Sequence, residues 1–504
     1  MQLPETDRLV RDRLQKIEAL RERGIAPYAY AFDRTHSAAE ALAAFEEAGE
    51  DAGVDVRVAG RIVSWRKMGK TTFAHIADAS GRIQLFLRRD ELGDEAYGDL
   101  KLLDLGDWVG AEGALFRTRT GEVSVRALRL ELLAKTARPL PYGKEEVDPE
   151  TGERTVHSGF ADREQRYRQR YLDLAVNPEI AEVVRQRAAV IRSLRDFLDD
   201  RGFVEVETPV LQPIYGGASA RPFVTHHNAL DMPLYLRIAD ELYLKRLIVG
   251  GLERVYEIAK NFRNEGLSRF HNPEFTMLEF YAAFLDYEDV MLLAEEMVAE
   301  VAEKATGGAP VRFGDHEIDF SPPFRRITML DALREMGDID VAELGEQALR
   351  ERVISLGMDR AEAARLGRGA LIDELFGELV EPKLIQPTFI TDYPREMSPL
   401  AKPKRGNETL TERFELIVAG KEIANAYSEL NDPFDQRERL EAQAALRSAG
   451  DEEAQPIDED YLRALEYGMP PTGGLGLGVD RLVMILTGQP SIRDVILFPT
   501  MRPE

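Results

Sequence analysis

Apolar residues recur every three or four positions near the start of the chain, which predicts an amphipathic helix over residues 5–23. The apolar positions of this helix are Leu9, Val10, Leu14, Ile17 and Leu20. An alanine-rich segment predicts a second helix over residues 40–49. We therefore expect a helical N-terminal extension over residues 1–53.

From Val54 onward, apolar residues occupy every second position, which is typical of strands with one buried face. Turns that contain glycine interrupt this alternation at intervals of roughly 8–12 residues. Short strands at that spacing favour a small closed barrel of about five strands. We expect this barrel to span residues 54–137.

The segment 138–170 is rich in proline, glycine and charge and has no apolar period, so we predict a linker there. Beyond it, helices alternate with strands through residues 171–504, which predicts a second, α+β domain. A long helix ends at Gly202, and the predicted strands that follow are residues 203–211, 256–266 and 273–284. We expect the last two to form an antiparallel pair. Residues 286–385 are acidic and mostly helical, which fits an insertion into this domain.

Composition excludes several classes of protein. The chain has 504 residues, of which 44% are hydrophobic and none is cysteine, so we expect a large core without disulfides, thiolate zinc sites or a cysteine nucleophile. The seven histidines show no paired-ligand spacing, which argues against a catalytic zinc ion. The start of the chain is charged every few residues, and no window approaches the roughly 20 apolar residues of a membrane span. We expect a cytoplasmic protein.

The net charge of −25 argues against a polyanionic partner, because nucleic-acid-binding proteins usually carry a basic surface. The charge is segregated, however. Residues 55–144 contain 16 basic and 12 acidic side chains and are net +4, so the remainder carries −29. The barrel is therefore the segment best suited to contact a nucleic acid.

Two glycine-containing motifs resemble nucleotide-binding turns only superficially. The glycines of residues 473–481 lie near the end of the chain and do not open a βαβ unit, so a dinucleotide site has little weight. Gly69-Lys70-Thr71 resembles the end of a phosphate loop, but Ser64 occupies the position of the first glycine. We predict a hairpin turn at Gly69.

Charged residues converge on the predicted strand pair. Alternation places Arg263 and Glu265 on one strand face, His271 lies in the connecting loop, and Phe275 and Glu279 share a face of the returning strand. Because unpaired charge is costly in a core, this convergence indicates a site on the sheet. A surface salt-bridge ladder is the alternative.

A second acidic segment covers residues 412–433. Glu415 and Glu422 can reach one site, and a carboxylate pair that meets phosphate oxygens usually holds Mg²⁺. Asn425, Tyr427 and Glu429 alternate in the sequence, so their side chains would lie on one face of a strand. Solvated acids are the alternative, since acidic residues are common in this chain.

Near the C-terminal end, a glycine-rich strand precedes a predicted helix that carries Arg481 in its first turn. An arginine beside a glycine-rich backbone is well placed to receive a phosphate oxygen.

Taken in order, these motifs resemble the bacterial-type class II lysyl-tRNA synthetases over nearly the whole chain. The segments that resemble motifs 1, 2 and 3 of the class are residues 197–213, 255–281 and 474–488. The segments that resemble stretches specific to the lysine enzymes are residues 213–247 and 420–440. Three places depart from the family pattern: Tyr215 replaces a common proline, Arg269-Phe270 shifts an arginine of the motif 2 loop, and Tyr427 replaces a common phenylalanine.

The resemblance implies a five-stranded OB-fold barrel that contacts the anticodon, followed by a class II catalytic domain in which helices flank an antiparallel sheet. It also implies an ATP-dependent lysine–tRNA ligase. L-lysine would react with ATP to give lysyl-adenylate and pyrophosphate, and the lysyl group would then pass to the 3′ end of tRNA(Lys). The motif 1 resemblance implies a homodimer, and the ATP is expected to bind with Mg²⁺.

The same resemblance implies roles for the candidate residues. Arg263 would bridge the α-phosphate and the lysine carboxylate. Phe275 and Arg481 would enclose the adenine, with Arg481 also reaching the γ-phosphate. Glu265 would bind the adenine amino group, and His271 the terminal phosphates.

Further residues are implied around the metal and the amino acid. Glu415 and Glu422 would hold Mg²⁺. The residues implied for lysine are Gly216 and Glu241 at the α-amino group, Asn425 and Arg263 at the carboxylate, and Glu279, Tyr281 and Glu429 at the side-chain ammonium, with Tyr427 beside them. Carboxylates and a phenol suit a buried ammonium group.

Two barrel residues match family positions that bind the anticodon. Phe73 would stack on the central uridine, and Gln84 would hydrogen-bond to it. Periodicity alone fits a barrel-core role for Phe73 equally well.

Two related functions are the alternatives. A truncated paralogue that lysylates elongation factor P lacks the barrel, whereas this chain has the pattern of one. A non-catalytic regulatory paralogue typically lacks the motif 2 or motif 3 arginine, whereas Arg263 and Arg481 are both present.

Overall fold

The computed structural model describes residues 8–49, 53–147, 154–157, 159–448 and 455–503. The chain forms two compact units, Met1–Ala161 and Asp162–Glu504. Parts of the predicted extension, linker and catalytic domain fall outside the described residues, namely 1–7, 50–52, 148–153, 158, 449–454 and 504. Within the described ranges, no helix is long and apolar enough to cross a membrane.

The first unit combines short helices with a barrel. Its helices are α1 (Arg8–Glu22), α2 (Ala38–Ala48), α3 (Arg89–Leu92) and α4 (Asp94–Asp99), with a 3-10 turn at Leu100–Leu102. Its strands are β1 (Asp55–Met68), β2 (Thr71–Asp78), β3 (Gly81–Arg88), β4 (Trp108–Arg117), β5 (Val123–Ala134), β6 (Lys144–Val147) and β7 (Arg154–His157). The antiparallel hairpin β6–β7 lies within the segment that the sequence predicts as a linker.

The strands β1 to β5 close into a barrel in the order β1-β2-β3-β5-β4, which confirms the predicted five-stranded OB-fold barrel. Alternation decides which side chains enter its core: on β2, Thr72 and Ala74 are buried, whereas Phe73 and His75 are half-buried on the outer face. Gly69, with a φ of 62°, makes the predicted hairpin turn between β1 and β2.

The second unit contains many more helices. They are α5 (Arg163–Arg168), α6 (Arg170–Val176), α7 (Glu179–Asp199), α8 (Glu241–Val249), α9 (Tyr287–Thr306), α10 (Met329–Gly337), α11 (Glu346–Ser355), α12 (Arg360–Ala363), α13 (Arg368–Leu379), α14 (Pro433–Ser448), α15 (Glu459–Glu466), α16 (Val479–Leu486) and α17 (Ile492–Val495). Two 3-10 turns lie at Glu381–Lys383 and Arg395–Met397.

The strands of the second unit build one large sheet and several small ones. They are β8 (Val204–Glu205), β9 (Leu211–Gln212), β10 (Val224–His227), β11 (Met232–Leu236), β12 (Arg254–Phe262), β13 (Glu274–Ala283), β14 (Val311–Phe313), β15 (His316–Ile318), β16 (Arg325–Thr328), β17 (Thr388–Thr391), β18 (Pro403–Lys404), β19 (Asn407–Thr411), β20 (Arg413–Val418), β21 (Lys421–Ser428) and β22 (Thr472–Gly478). The large sheet has the order β16-β17-β20-β21-β22-β13-β12-β8. Its centre is antiparallel, and the predicted pairing of β12 with β13 is confirmed.

One face of the large sheet packs on helices to form the main core. Phe280 on β13 and Leu475 on β22 are buried there with Val190 of α7, Val290 of α9 and Val483 of α16. The opposite face of the same strands carries polar side chains. The sheet therefore serves as a rigid platform whose second face is available for a site.

The predicted continuous strand over residues 203–211 is wrong. Only β8 and β9 form at its two ends, and the backbone between them is held by side chains. Glu257 accepts a hydrogen bond from the Thr208 N–H at 3.1 Å, and Arg237 donates to the Thr208 carbonyl at 3.2 Å. Because these groups are bonded to side chains, they are unavailable for a strand ladder.

The segment 286–385 contributes to two cores. Helix α9 packs in the main core, whereas α10, α11 and α13 surround a separate one that includes Leu333, Leu349 and Leu371. Strand β16 joins the edge of the large sheet through β17.

Candidate functional site

A cavity of about 350 Å³ lies over the polar face of the large sheet. The four strands β13, β22, β21 and β20 run side by side beneath it. Because side chains alternate along each strand, Glu279 and Tyr281 of β13 and Asn425 and Tyr427 of β21 point into the same space.

Strand β22 passes between these side chains and is made almost entirely of glycine on this face. A Cβ atom at position 474 would overlap Glu429 Oε1 and the Tyr281 ring. At position 476, a Cβ would lie 3.3 Å from the flexible end of Met277. The absence of a side chain at Gly474 therefore lets Glu429 and Tyr281 lie across the strand.

Arg263 follows directly after β12 and reaches into the cavity. Its backbone N–H donates to the Pro273 carbonyl at 2.8 Å, and its guanidinium lies 5.0 Å from the centre of the Phe275 ring. Burial, opposed by Glu265 and Glu422, lowers the pKa of Arg263. Its Nε is buried without a hydrogen-bond partner among the described residues, so this arginine is a cation ready to bind an anionic ligand.

Arg481 in the first turn of α16 lies beside the loop that follows Arg263. Its Nη1 donates to the Glu422 carbonyl at 2.8 Å and pairs with the Glu422 carboxylate at 3.2 Å. Its Nη2 lies 3.4 Å from His271 Nε2, and His271 Nδ1 lies 2.8 Å from Ser268 Oγ. Burial and Arg481 lower the pKa of His271, so the ring is neutral near pH 7.

Glu415 and Glu422 lie on the neighbouring strands β20 and β21. The pairing shifts between Leu416 and Ile417, which leaves Ile423 as an extra residue on β21. This bulge brings Glu422 to the cavity side together with Glu415. Burial and Glu422, opposed by Arg413, raise the pKa of Glu415 to about 7.

The Glu415–Glu422 pair fits a divalent cation. Burial is the main cause of the raised pKa of Glu415, and a bound cation would favour its ionised form; carboxylate oxygens are the donors that Mg²⁺ prefers. No group of three or more histidine or acidic residues is arranged to hold a metal in the part of the chain that the structure describes. The pair would therefore leave the remaining coordination positions to ligand oxygens and water.

Three buried carboxylates define the other end of the cavity. Glu279 accepts from the Asp240 N–H at 3.2 Å and from the Tyr281 hydroxyl at 3.2 Å. Glu241 and Glu429 each lie 2.5 Å from the ammonium of Lys245. Burial and the neighbouring acids raise the pKa of Glu279 to about 7, and that of Glu429, although Lys245 opposes the rise, to about 8.

A chain of hydrogen bonds joins the two ends along β20 and β21. Arg413 donates to Glu415 at 2.5 Å and to the Asn425 side-chain oxygen at 3.1 Å. The Asn425 amide nitrogen in turn donates to the Tyr427 hydroxyl at 2.9 Å. The Tyr427 hydroxyl thus has a partner, and Asn425 is fixed in orientation between an arginine and a phenol.

The outer face of the barrel carries an aromatic surface. The Phe73 and Phe86 rings lie 5.1 Å apart, Phe86 and Phe116 lie 5.2 Å apart, and Arg126 stacks 4.8 Å over Phe116. Phe73 therefore lies on the outer face and not in the barrel core. The exposed basic residues at the adjoining end of β1 and in its turn are Arg66, Lys67 and Lys70.

Gln84 belongs to the same outer face but is already hydrogen-bonded. Its amide nitrogen donates to Glu122 at 2.6 Å, and its oxygen accepts from the Ser124 hydroxyl at 2.7 Å. His75 bridges Glu122 and Ser64, each at 2.7 Å. A base that bonds to Gln84 must therefore share or replace one of these partners.

The structure brings nearly all the predicted site residues to the cavity. Those that line it are Glu241, Arg263, Glu265, His271, Phe275, Glu279, Tyr281, Glu415, Glu422, Asn425, Tyr427, Glu429 and Arg481. Gly216 instead lies against Leu242, and its neighbour Gly217 lines the cavity.

Three residues of the two sites were not predicted from the sequence. Arg413 stands two positions before Glu415, so strand alternation was the signal that could have found it. Lys245 stands four positions after Glu241, which is one helical turn. Glu122 precedes β5, and its contact with Gln84 on another strand leaves no local signal.

Comparisons with known proteins cover both units. Residues 162–502 match the family described as tRNA synthetases class II (D, K and N), and residues 56–133 match the OB-fold nucleic acid binding domain family. A lysine–tRNA ligase of Moorella thermoacetica is 53% identical over 506 residues, which is 100% of each chain. One of Carboxydothermus hydrogenoformans is 51% identical over 505 residues, again 100% of each, and one of Christiangramia forsetii is 52% identical over 510 residues, 100% of this chain and 87% of that protein.

Proposed function

The chain belongs to the lysine–tRNA ligases within the class II tRNA synthetases, and from this membership we propose how its residues divide the work of the reaction. It is a ligase that activates L-lysine with ATP to lysyl-adenylate and pyrophosphate, and then transfers lysine to the 3′ end of tRNA(Lys). The enzyme uses no covalent protein intermediate in this scheme. Its residues bind, orient and neutralise charge.

The observation that best supports the proposal is that basic side chains lie at one end of the cavity and acidic side chains at the other. Arg263 and Arg481 define one end, where the phosphates of ATP bind, and Glu241, Glu279 and Glu429 define the other. Lysine has a carboxylate and two ammonium groups. In this cavity its carboxylate faces the arginines while both ammonium groups face the acids.

In the first step, an oxygen of the lysine carboxylate attacks the α-phosphorus of ATP. A carboxyl–phosphorus bond forms, and the bond from that phosphorus to the pyrophosphate oxygen breaks. The attacking group is already an anion, so no general base is needed. Arg263 contacts both reactants and stabilises the charge that develops on the α-phosphate, helped by its partly unsatisfied guanidinium.

The adenosine and the outer phosphates occupy the arginine end. Phe275 and Arg481 enclose the adenine, and Glu265 accepts from its amino group. His271 donates to the terminal phosphates from a neutral ring, which the lowered pKa supports. Arg481 also reaches the γ-phosphate, since it lies within 3.4 Å of His271.

The amino acid occupies the acidic end. Glu241, with the Gly216-Gly217 turn beside it, binds the α-ammonium, and Asn425 with Arg263 binds the carboxylate. The side-chain ammonium lies among Glu279, Tyr281 and Glu429, with Tyr427 beside them. A ligand without this ammonium would leave buried acids unpaired, which is how the pocket selects lysine.

Glu415 and Glu422 are the residues that would hold Mg²⁺ with ATP. A bound Mg²⁺ neutralises phosphate charge and helps to orient the triphosphate. Arg413, which pairs with Glu415, keeps that carboxylate in place.

The barrel binds the anticodon through its outer aromatic surface. Phe73 stacks on the central base, and Gln84 hydrogen-bonds to it. In this division of the chain, residues 54–137 bind the anticodon and residues 171–504 carry the chemistry, with 286–385 as an insertion. Because tRNA, ATP and lysine are the substrates, we place the reaction in the cytoplasm.

The active species in this proposal is a homodimer. Exposed apolar side chains cluster in the motif 1 region and the small sheet beside it, at Val204, Val210, Leu211, Ile214 and Val224. Exposed apolar groups in such number favour an interface. Sedimentation equilibrium would measure the mass in solution, and a monomer at micromolar concentration would contradict this part.

One assay tests the activation step: ATP–pyrophosphate exchange with Mg²⁺ and lysine, compared with aspartate and asparagine. We expect exchange with lysine alone. Arg263→Ala should lower exchange by about 100-fold or more, as expected for loss of a charge-stabilising donor. Absence of lysine-dependent exchange in the unchanged protein would favour the non-catalytic paralogue.

A further inference from the structure

Lys245 lies behind the acidic end of the cavity and is completely buried. Its ammonium lies 2.5 Å from Glu241 Oε1 and 2.5 Å from Glu429 Oε2, and 5.9 Å from the centre of the Tyr281 ring. Glu241 and Glu429 line the cavity and separate Lys245 from it. Lys245 therefore acts on a ligand only through these two carboxylates.

The contacts of Lys245 join elements that are far apart in sequence. Glu241 and Lys245 share one face of α8 because they are one turn apart, whereas Glu429 directly follows β21. Each carboxylate gives one oxygen to Lys245. Glu429 Oε1 is buried and has no hydrogen-bond partner among the described residues, so it is the oxygen left for a ligand.

At this end of the cavity, carboxylate groups outnumber ammonium groups when no ligand is bound. Facing its ammonium are Glu241 from α8, Glu429 after β21, Tyr281 from β13 and Tyr461 from α15. Glu279 faces the same two carboxylates from β13. Three carboxylates and one internal cation thus lie at this end of the cavity, which leaves two negative charges for the two ammonium groups of one lysine.

Burying several carboxylates together is costly unless cations pair with them, and the usual response is protonation. Glu241 and Glu429 raise the pKa of Lys245 well above its ordinary value despite burial, so this cation persists at every pH at which the enzyme works. It offsets the repulsion between the two acids before any ligand arrives.

We propose that Lys245 is a positioning residue for lysine recognition: it fixes Glu241 and Glu429, favours their ionised forms, and leaves one oxygen of each for a substrate ammonium. This inference rests on the proposed function, in which those carboxylates bind lysine.

Loss of Lys245 should strengthen the coupling of lysine binding to proton release. Without the internal cation, Glu241 and Glu429 would bind protons more tightly than in the unchanged protein, and more protons would leave when the substrate binds. Each proton released makes affinity rise with pH, by up to about tenfold per pH unit.

The test compares Lys245→Met with Arg246→Met by titration calorimetry of lysine binding between pH 6.0 and 8.5. Repeating each titration in buffers of different ionisation enthalpy gives the number of protons released. Arg246 is the matched control, since it lies on the same helix and pairs with Asp458 at 2.6 Å, away from the lysine carboxylates.

We expect Lys245→Met to weaken lysine binding by about tenfold or more at pH 7 and to release about one more proton per lysine than the unchanged protein. The difference in lysine affinity between Lys245→Met and the unchanged protein should shrink as pH rises. The KM for ATP should stay within about twofold. Arg246→Met should match the unchanged protein in proton release.

A weakening that is equal at every pH, or one without extra proton release, would assign Lys245 a purely structural role and overturn the proposal. If Lys245→Met does not fold, Lys245→Arg keeps the charge and must keep the unchanged proton count; a higher count would also overturn it. Failure of lysine to support exchange in the unchanged enzyme would instead contradict the proposed function, which separates the two claims.

Discussion

Glu279 and Glu429 favour different protonation states in the free and the liganded cavity. Burial and neighbouring acids raise their pKa values to about 7 and about 8, so part of each population is protonated near neutral pH. A bound ammonium favours the ionised form of both. Lysine binding is therefore linked to their titration.

Lysine affinity should rise between pH 6 and pH 8. Below the raised pKa values, binding must remove protons from Glu279 and Glu429, and this cost disappears as pH rises through 7 and 8. We expect the lysine Kd to fall by about tenfold or more over that interval, measured by titration calorimetry. A flat profile would mean that these carboxyl groups are ionised in the free enzyme.

Phe73→Ala should weaken tRNA binding by about 1–3 kcal/mol, the usual worth of a base stacked on an aromatic ring. Exchange of pyrophosphate should stay near normal, because Phe73 lies on the barrel and not at the cavity. Filter binding of tRNA(Lys) measures the effect. Tyr30→Ala, which removes a fully exposed aromatic residue of the first unit, is the control. Equal losses in both variants would contradict a specific stack.

For single residues, the strand face on which a side chain lies was predictable from alternation. Its contact partners on other elements were not. Period two placed Phe275 and Glu279 on one face, and both line the cavity. The pairing of Lys245 with Glu429 joins positions 184 residues apart, and no local pattern encodes such a contact.

Among the elements, β22 shapes the cavity through its glycines, because neighbouring side chains lie where its own side chains would be. It lies between β13 and β21 and carries glycine wherever its face turns to the cavity. The side chains of its neighbours fill the space above it. Shape here comes from a backbone that other residues can approach closely.

Gly474→Ala should damage the lysine pocket. The added methyl group would overlap Glu429 Oε1 and the Tyr281 ring, and overpacking of this kind costs about 1–3 kcal/mol. We expect the KM for lysine in pyrophosphate exchange to rise by about tenfold or more.

Gly476→Ala is the matched control on the same strand. Its methyl group would lie 3.3 Å from the mobile end of Met277, which can move aside. We expect a change in lysine KM of less than about threefold. Similar effects at both positions would show that β22 tolerates no substitution and that the overlap with Glu429 is not the cause.

Elements with a regular period were predictable, whereas irregular ones were not. Apolar alternation and the spacing of the turns located the barrel strands, although two of their pairings, β1 with β4 and β3 with β5, join strands that are not consecutive. The segment 203–211 also alternates, but Glu257 and Arg237 take the backbone groups of Thr208. The bulge at Ile423, which brings Glu422 to the cavity, likewise depends on pairing with another strand.

For the whole molecule, segregation of charge reconciles an acidic chain with a nucleic-acid substrate. The chain is net −25, yet residues 55–144, which contain the barrel, are net +4, and Arg66, Lys67 and Lys70 are exposed beside the aromatic surface. We therefore expect favourable contacts with phosphates to be few and local. The order of strands in the large sheet, by contrast, is not visible in any local pattern, because β22 pairs with a strand almost two hundred residues earlier.

Binding of tRNA(Lys) should depend on salt with a modest slope set by a handful of phosphate contacts. Replacing Arg66, Lys67 and Lys70 together by Gln should reduce the magnitude of the slope of log K against log salt by about 2, since each contact with a single strand contributes roughly 0.7. The matched control replaces Lys304, Arg312 and Arg325, which are exposed residues of the second unit. An unchanged slope in the barrel variant would show that the basic contacts lie elsewhere.

The acidic end of the cavity should also distinguish diamino acids by the length of their side chains. Glu241 begins α8 and Glu429 directly follows β21. Because both are held by Lys245, the distance available to a diamine is set by the scaffold. Ornithine, one methylene shorter, can place only one of its two ammonium groups correctly. We expect it to be activated about 10- to 200-fold less efficiently than lysine in pyrophosphate exchange, the usual worth of a missing methylene. In the proposed site, we therefore expect lysine to be recognised by the spacing of its two charges as much as by their sign.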